Sequence, residues 1–171
     1  MRADEQWGTI GRLVLASGER FADVEALVDG DLRLTYPELR DAIVDAARAH
    51  IAAGVRTGDR VAIWAPNIVE WVVAGLGAVT AGAVLVPLNT RYKGVEAADI
   101  IDRSGASVLL CVNGFLGNDY VGMLEGIDLP GLRDIVVLRG DAPAGTIAWA
   151  DYLARADAAD VTVSDVEAVV A

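Results

Sequence analysis

The segment Asn89-Thr90-Arg91-Tyr92-Lys93 sets a guanidinium, a phenol and an ammonium at three successive positions. They follow the apolar run Val84–Leu88, in a chain whose 25 acidic residues outnumber 14 basic ones for a formal net charge of −11. Cations gathered at the end of an apolar strand, in a protein this acidic, point to a bound anion. Arg91 offers a planar fork of donors that matches phosphate or carboxylate, Lys93 adds a compact charge, and amides at the start of a following helix would help both. The opposed reading pairs Arg91 with one of the many nearby acids. Residue types alone leave both readings open.

The rest of the sequence narrows the chemistry by what it lacks. There is no G-x-x-x-x-G-K phosphate loop, no G-x-S-x-G elbow, no H-E-x-x-H and no paired C-x-x-C. One histidine and one cysteine do not make a His/Cys metal site. His50, close to the end of a helix where a cation is favoured, reads as structural. Cys111, inside the apolar run Val108–Val112, reads as a buried, reduced thiol of a cytosolic protein. Asp99 and Asp102, three residues apart, fall on one exposed helical face rather than forming an acid/base pair. The negative charge argues against nucleic acid and anionic membrane surfaces as partners.

Trp71–Leu88 is uncharged over 18 residues, but Gly77, Thr80 and Gly82 interrupt it and Pro87 closes it. A buried helix running into a buried strand accounts for it better than a membrane span. The N-terminus has no apolar core followed by a cleavage site, so a cytoplasmic location is expected.

Positioning Arg91 takes an ordered set of elements. Residues 7–17 form an amphipathic pattern with Ile10, Leu13 and Val14 on one side. Two short apolar runs flank Asp29-Gly30, which predicts a hairpin with a type I′ turn. Thr35 to Gly54 carries a capping box at Thr35 and Glu38, Pro37 in the first turn and a closing glycine, so it predicts a helix. Strands are predicted at Arg60–Ala65, Val84–Leu88, Ala106–Val112 and Asp134–Leu138, with helices at Ile68–Ala81 and Gly94–Ser104 between them. The alternation predicts right-handed βαβ units and an α/β fold, a mostly parallel sheet flanked by helices. Gly75, Gly77 and Gly82 do not follow a strand, so close helix packing rather than a dinucleotide fingerprint is their expected role. The organisation read this way is a leading helix in 1–20, an α/β unit over 21–139, and a loop, a short helix at Trp149–Ala156 and an acidic tail over 140–171.

The series "LTYPEL", "GVRTGDRVAIWAPN", "GAVTAGAVLVPLNTRY" and "EAADIIDRSGA", in this order and spacing, resembles the N-terminal part of the adenylate-forming (AMP-dependent) acyl-CoA synthetases. The likeness runs from about Phe21 to the end. Within that family, "VPLNTRYKGVEAADIIDRSGA" and "FLGNDY" look most like actinobacterial ligases acting on fatty acids, steroid side chains or ring-derived propionates.

The resemblance implies a parent ligase using ATP, Mg²⁺ and CoA, which activates a carboxylic acid as acyl-AMP and passes it to the CoA thiol. It also implies that Arg91 contacts the phosphates of the CoA nucleotide, with Tyr92 and Lys93 beside that contact. The family's Ser/Thr/Gly-rich phosphate loop and its Pro-Lys-Gly do not occur before Ala171. The chain is therefore expected to be an N-terminal subdomain fragment, with no catalytic residue and no bound cofactor, inactive alone and open to homo-oligomerisation through exposed apolar surface. Two alternatives stand beside it: an adenylation domain that loads a carrier protein, and a stand-alone binding or scaffolding module.

Overall fold

A computed structural model describes residues 8–171. Helix α1 (Ile10–Arg20) starts at Thr9, whose hydroxyl accepts from the Arg12 amide at 3.2 Å. It begins and ends three residues later than the sequence pattern indicated; Trp7 lies outside the described residues. Strands β1 (Glu25–Asp29) and β2 (Leu32–Thr35) form an antiparallel hairpin in which Asp29 faces Leu32. Its two-residue turn is Gly30-Asp31, one position later than expected. Of those two residues only Gly30 has positive φ, so the I′ expectation is replaced by a turn with glycine at the first central position.

Helix α2 (Tyr36–Ala52) forms the capping box read from its sequence: Glu38 accepts from the Thr35 amide at 2.8 Å, and the Thr35 hydroxyl accepts from the Glu38 amide at 3.5 Å. Then follow β3 (Arg60–Trp64), α3 (Val69–Thr80), β4 (Val84–Pro87), α4 (Gly94–Ser104), β5 (Ala106–Val112), β6 (Asp134–Arg139), β7 (Ile147–Ala148), α5 (Trp149–Ala158) and α6 (Val163–Val170). Short 3₁₀ turns at Phe115–Gly117 and Gly122–Leu124 lie between β5 and β6.

The main sheet is parallel throughout, in the order β4-β3-β5-β6-β7. From β3 the chain steps outward through α3 to β4, then returns through α4 past β3 to β5. Two crossovers of one hand in opposite directions put α3 and α4 on opposite faces. Their neighbours agree: α3 packs with α1, α2 and α6, and α4 with the Gly122–Leu124 turn. Covered on both faces, β3 and β5 are almost continuously apolar and buried.

β4 departs from the expectation of a buried strand. It lies at the sheet edge, with Val84 and Pro87 exposed and burial resuming only at Leu88. The Val84 and Leu88 amides donate inward to Asp59 and Ile63 carbonyls, so alternation turns those of Leu85 and Pro87 outward. Proline has no N–H, which leaves one outward donor in this strand and blunts the edge against a further strand.

Close packing bears on all three glycines near α3. A Cβ on Gly77 would stand 2.5 Å from that of Ala46, where α2 and α3 cross, and one on Gly75 would meet Leu85 at 3.3 Å. A Cβ on Gly82 would stand 2.6 Å from the Thr57 hydroxyl, in the turn before β3 rather than on a helix, and its φ of +83° also turns the chain out of α3. The segment read as an acidic tail is also different. Thr162 and Asp165 cap α6, and its Val166 and Val170 are buried.

Candidate functional site

β4 carries the chain to the carboxyl edge of the sheet, and Leu88, 5% exposed, anchors it there. The next five residues form a turn held by its own polar groups. Asn89 Oδ1 accepts from the Arg91 amide at 2.9 Å, and the Asn89 carbonyl accepts from the Tyr92 amide at 3.0 Å. Two buried aromatic side chains grip the same turn from below. Trp64 Nε1 donates to the Asn89 carbonyl and the Tyr120 hydroxyl to the Thr90 carbonyl, each at 3.0 Å. Their rings meet edge to face, 4.6 Å apart at 90°.

On this turn Arg91 and Lys93 are exposed, while Tyr92 is half-buried against the core. Among the described residues no carboxylate lies within ion-pair distance of either cation, so the surface pairing set against the anion reading is not formed. Helix assistance is reduced relative to expectation, because Glu96 already accepts from the Lys93 amide at 2.8 Å. Gly94 opens α4 with its backbone against Met123, fixing the helix start behind the turn.

A second polar group stands at the same edge. Arg139, at the end of β6, makes a two-pronged contact with Glu70 at 3.0 and 2.7 Å and reaches Asp29 at 3.0 Å. Asp29 also accepts from the Val69 amide at 3.1 Å, capping α3 where Ile68 has no side chain to do so. That bond and Arg139 hold the Asp29 carboxyl below its usual range. Arg139→Ala would remove one cation from between two carboxylates on three elements. About 1 kcal/mol of stability is the expected loss, read as a lower urea midpoint at unchanged slope.

Beside Arg139, a crevice of about 230 Å³ is lined by Pro66, Ile68, Val112 and Phe115. It lies at the carboxyl ends of β3 and β5, where the connections change direction and ligands of open α/β sheets collect. Sequence reasoning found Arg91, Tyr92 and Lys93 but neither this crevice nor the Trp64–Tyr120 grip.

The remaining reactive groups are silent. His50 is fully buried: its Nε2 donates to the Ala74 carbonyl at 3.2 Å and its Nδ1 accepts from Tyr152 at 2.9 Å. Burial lowers its pKa to about 4, so the structural reading holds but the ring is neutral rather than a helix-end cation. Burial pushes the Cys111 thiol up to about 12, as an inert core cysteine requires. Among the described residues no cluster of three or more His, Cys, Asp or Glu could hold a metal, and no helix is long and apolar enough to cross a membrane.

Residues 15–165 match the family described as AMP-binding enzyme. A methyl-dioxo-octahydro-indenyl-propanoyl:CoA ligase of Mycobacterium tuberculosis is 48% identical over 148 residues, 86% of this chain and 29% of the relative. A ligase of the same name from Rhodococcus jostii is 41% identical over 158 residues, 90% of this chain and 31% of the relative. The crystal structure of the N-terminal domain of FACL13 from Mycobacterium tuberculosis superposes with a TM-score of 0.72 at 26% identity, over 90% of this chain and 37% of that one. The chain thus spans about three tenths of the length of these two curated relatives.

Proposed function

The chain belongs to the AMP-binding enzyme family, and from that premise we propose that it is the opening part of the N-terminal domain of an ATP-dependent acyl-CoA ligase. In the first half-reaction a carboxylate attacks the α-phosphorus of ATP, pyrophosphate leaves and acyl-AMP forms. In the second, the CoA thiol attacks the acyl carbon and AMP leaves. The acid is a propionate borne on a fused ring system, a reading supported by 48% and 41% identity to two ligases named for such an acyl group.

The observation that carries a role for this chain is Arg91. It is a guanidinium with no carboxylate partner among the described residues, in a protein of net charge −11, on a turn held by four hydrogen bonds at the carboxyl edge of the sheet. Exposure leaves its donors free for an anion, and the fixed turn lowers the entropy lost when they are used. Its role is to hold a phosphate of the CoA nucleotide, with Lys93 adding charge and Tyr92 anchoring the turn to the core. Among the described residues no group of three or more His, Cys, Asp or Glu could hold a metal, and no step assigned to this chain runs through Mg²⁺. The buried Cys111 thiol supports a reducing, cytoplasmic setting.

The two half-reactions separate the test. In the protein carrying this chain, Arg91→Ala should raise the KM for CoA about tenfold, the worth of a charge-assisted contact to phosphate. Pyrophosphate exchange into ATP with the ring-borne propionate should be unchanged, because CoA takes no part in that step. An unaltered KM for CoA would remove Arg91 from the site, and absent exchange would remove the ligase reading.

A further inference from the structure

Trp64 and Tyr120 reach the Arg91 turn from two different segments, one ending β3 and the other lying in the loop after β5. Both are fully buried, yet each spends its single polar hydrogen on the turn. Trp64 Nε1–H goes to the Asn89 carbonyl and Tyr120 Oη–H to the Thr90 carbonyl, both at 3.0 Å. Two successive carbonyls are thus held from beneath by two rings that also brace each other edge to face. A carbonyl fixed in direction fixes the plane of the peptide that carries it. The planes on either side of Thr90 are therefore set, and with them the path of the chain into Arg91.

Packing alone would not demand this. A phenylalanine at either position could fill apolar space without the bond, and carbonyls on a turn at the protein surface can bond to water instead. Tyr120 is itself oriented, since its amide donates to Asn113 Oδ1 at 3.1 Å in the wall of the neighbouring crevice. The chain of bonds runs from Asn113 through Tyr120 to Thr90, and the Trp64 bond to Asn89 holds the preceding carbonyl.

We infer that Trp64 and Tyr120 are positioning residues that hold the Asn89–Lys93 turn in the form that presents Arg91 to a phosphate. The inference rests on the assignment of Arg91 as an anion contact. It adds that the affinity of the contact is set from below by two aromatic residues, 27 and 29 positions from Arg91 in sequence. Neither touches the anion.

Tyr120→Phe tests this with the ring retained and one bond removed. Exchange of the Arg91 and Tyr92 amides, both bonded to Asn89, should quicken about fivefold, while the Asp59 amide in a distant turn stays as it was. The dissociation constant for CoA should rise about fivefold in the protein carrying this chain, with that for pantetheine, which lacks the phosphates, unchanged. Trp64→Phe should act in the same direction, and Arg91→Ala combined with Tyr120→Phe should weaken CoA no more than Arg91→Ala alone. Unchanged exchange at Arg91 and Tyr92 overturns the grip. Faster exchange with unaltered CoA affinity, while Arg91→Ala does weaken CoA, overturns its bearing on binding. Should Arg91→Ala leave CoA affinity unaltered, the anion assignment falls and takes the positioning role with it, whatever the exchange shows.

Discussion

Gly94→Ala is expected to lower the unfolding free energy by about 3 kcal/mol. Gly94 is the first residue of α4 and is buried, with no left-handed backbone to explain its identity. What forbids a side chain is the Gly122–Leu124 turn. A Cβ at position 94 would collide with the carbonyl oxygen of Met123 and stand 2.7 Å from its carbonyl carbon. These are backbone atoms, so no rotamer change relieves the clash. Nor is that turn free to withdraw. The Met123 amide donates to the Asp119 carbonyl at 3.0 Å, the Leu124 amide to the Val121 carbonyl at 3.0 Å, and Leu124 is buried.

Alanine would ordinarily help, since it restricts the unfolded chain. Gly131 shows that case: its backbone lies outside the left-handed region, and nothing stands within 4 Å of a Cβ built there. Gly131→Ala should be neutral or slightly stabilising, whereas Gly94→Ala should shift the urea midpoint sharply downward at unchanged slope. Equal midpoints for the two variants would contradict the close approach of α4 to this turn. Because Lys93 immediately precedes Gly94, any relief that moves α4 should also loosen the Arg91 turn, visible as faster amide exchange there.

The parts of the fold that read clearly from sequence are those decided by neighbours along the chain. The Thr35–Glu38 box, the start of α4 and its end at Gly105, where φ is +65°, are local stereochemistry. The run Ala106–Val112 is apolar because it is the central strand, and it was recognisable at both ends. The edge position of β4 was not recognisable, because strand order depends on which way each crossover turns. Val84–Leu88 is as apolar as a central strand, and only Pro87, with no outward donor to offer, hints at an edge. α6 was missed for a different reason. Its box at Thr162 and Asp165 was present in the sequence, but Val166 and Val170 are buried only because α1, α2 and α3 supply a surface.

The site divides along the same line. Arg91, Tyr92 and Lys93 are contiguous, so their grouping is visible without a fold. Trp64 and Tyr120 act through hydrogen bonds from side chain to backbone across 25 and 30 residues. Such a bond needs nothing particular at the accepting position, since every residue has a carbonyl, and so it leaves no pattern. The Asp29–Arg139 contact likewise joins residues 110 apart, and the hairpin aspartate that looked like turn chemistry also caps α3.

Acid should destabilise the protein before its carboxylates titrate, and His50 is the reason. Buried with its Nε2 proton on the Ala74 carbonyl, the ring loses hydration if it is charged, and that term lowers its pKa from 6.5 to about 4 against the smaller pull of the Ala74 bond. The unfolded chain therefore takes up a proton as pH falls through 6.5, while the folded protein does not until about pH 4. Stability is fully present above the unfolded pKa and is lost through that window, by about 3 kcal/mol in all and about 2 kcal/mol of it between pH 7 and pH 5. Asp29, Glu38 and Asp165, all shifted downward from 3.8 or 4.5, lose their contributions only at lower pH, so the two effects separate. His50→Phe supplies the control. At pH 7 it should be less stable by about 1–2 kcal/mol, because Tyr152 and Ala74 lose their partner. Between pH 7 and pH 5 its stability should be nearly flat, so the gap to the unsubstituted protein should narrow or close at pH 5. Equal slopes for the two proteins over that range, by urea unfolding at fixed ionic strength, would show that the imidazole is not held neutral by its burial.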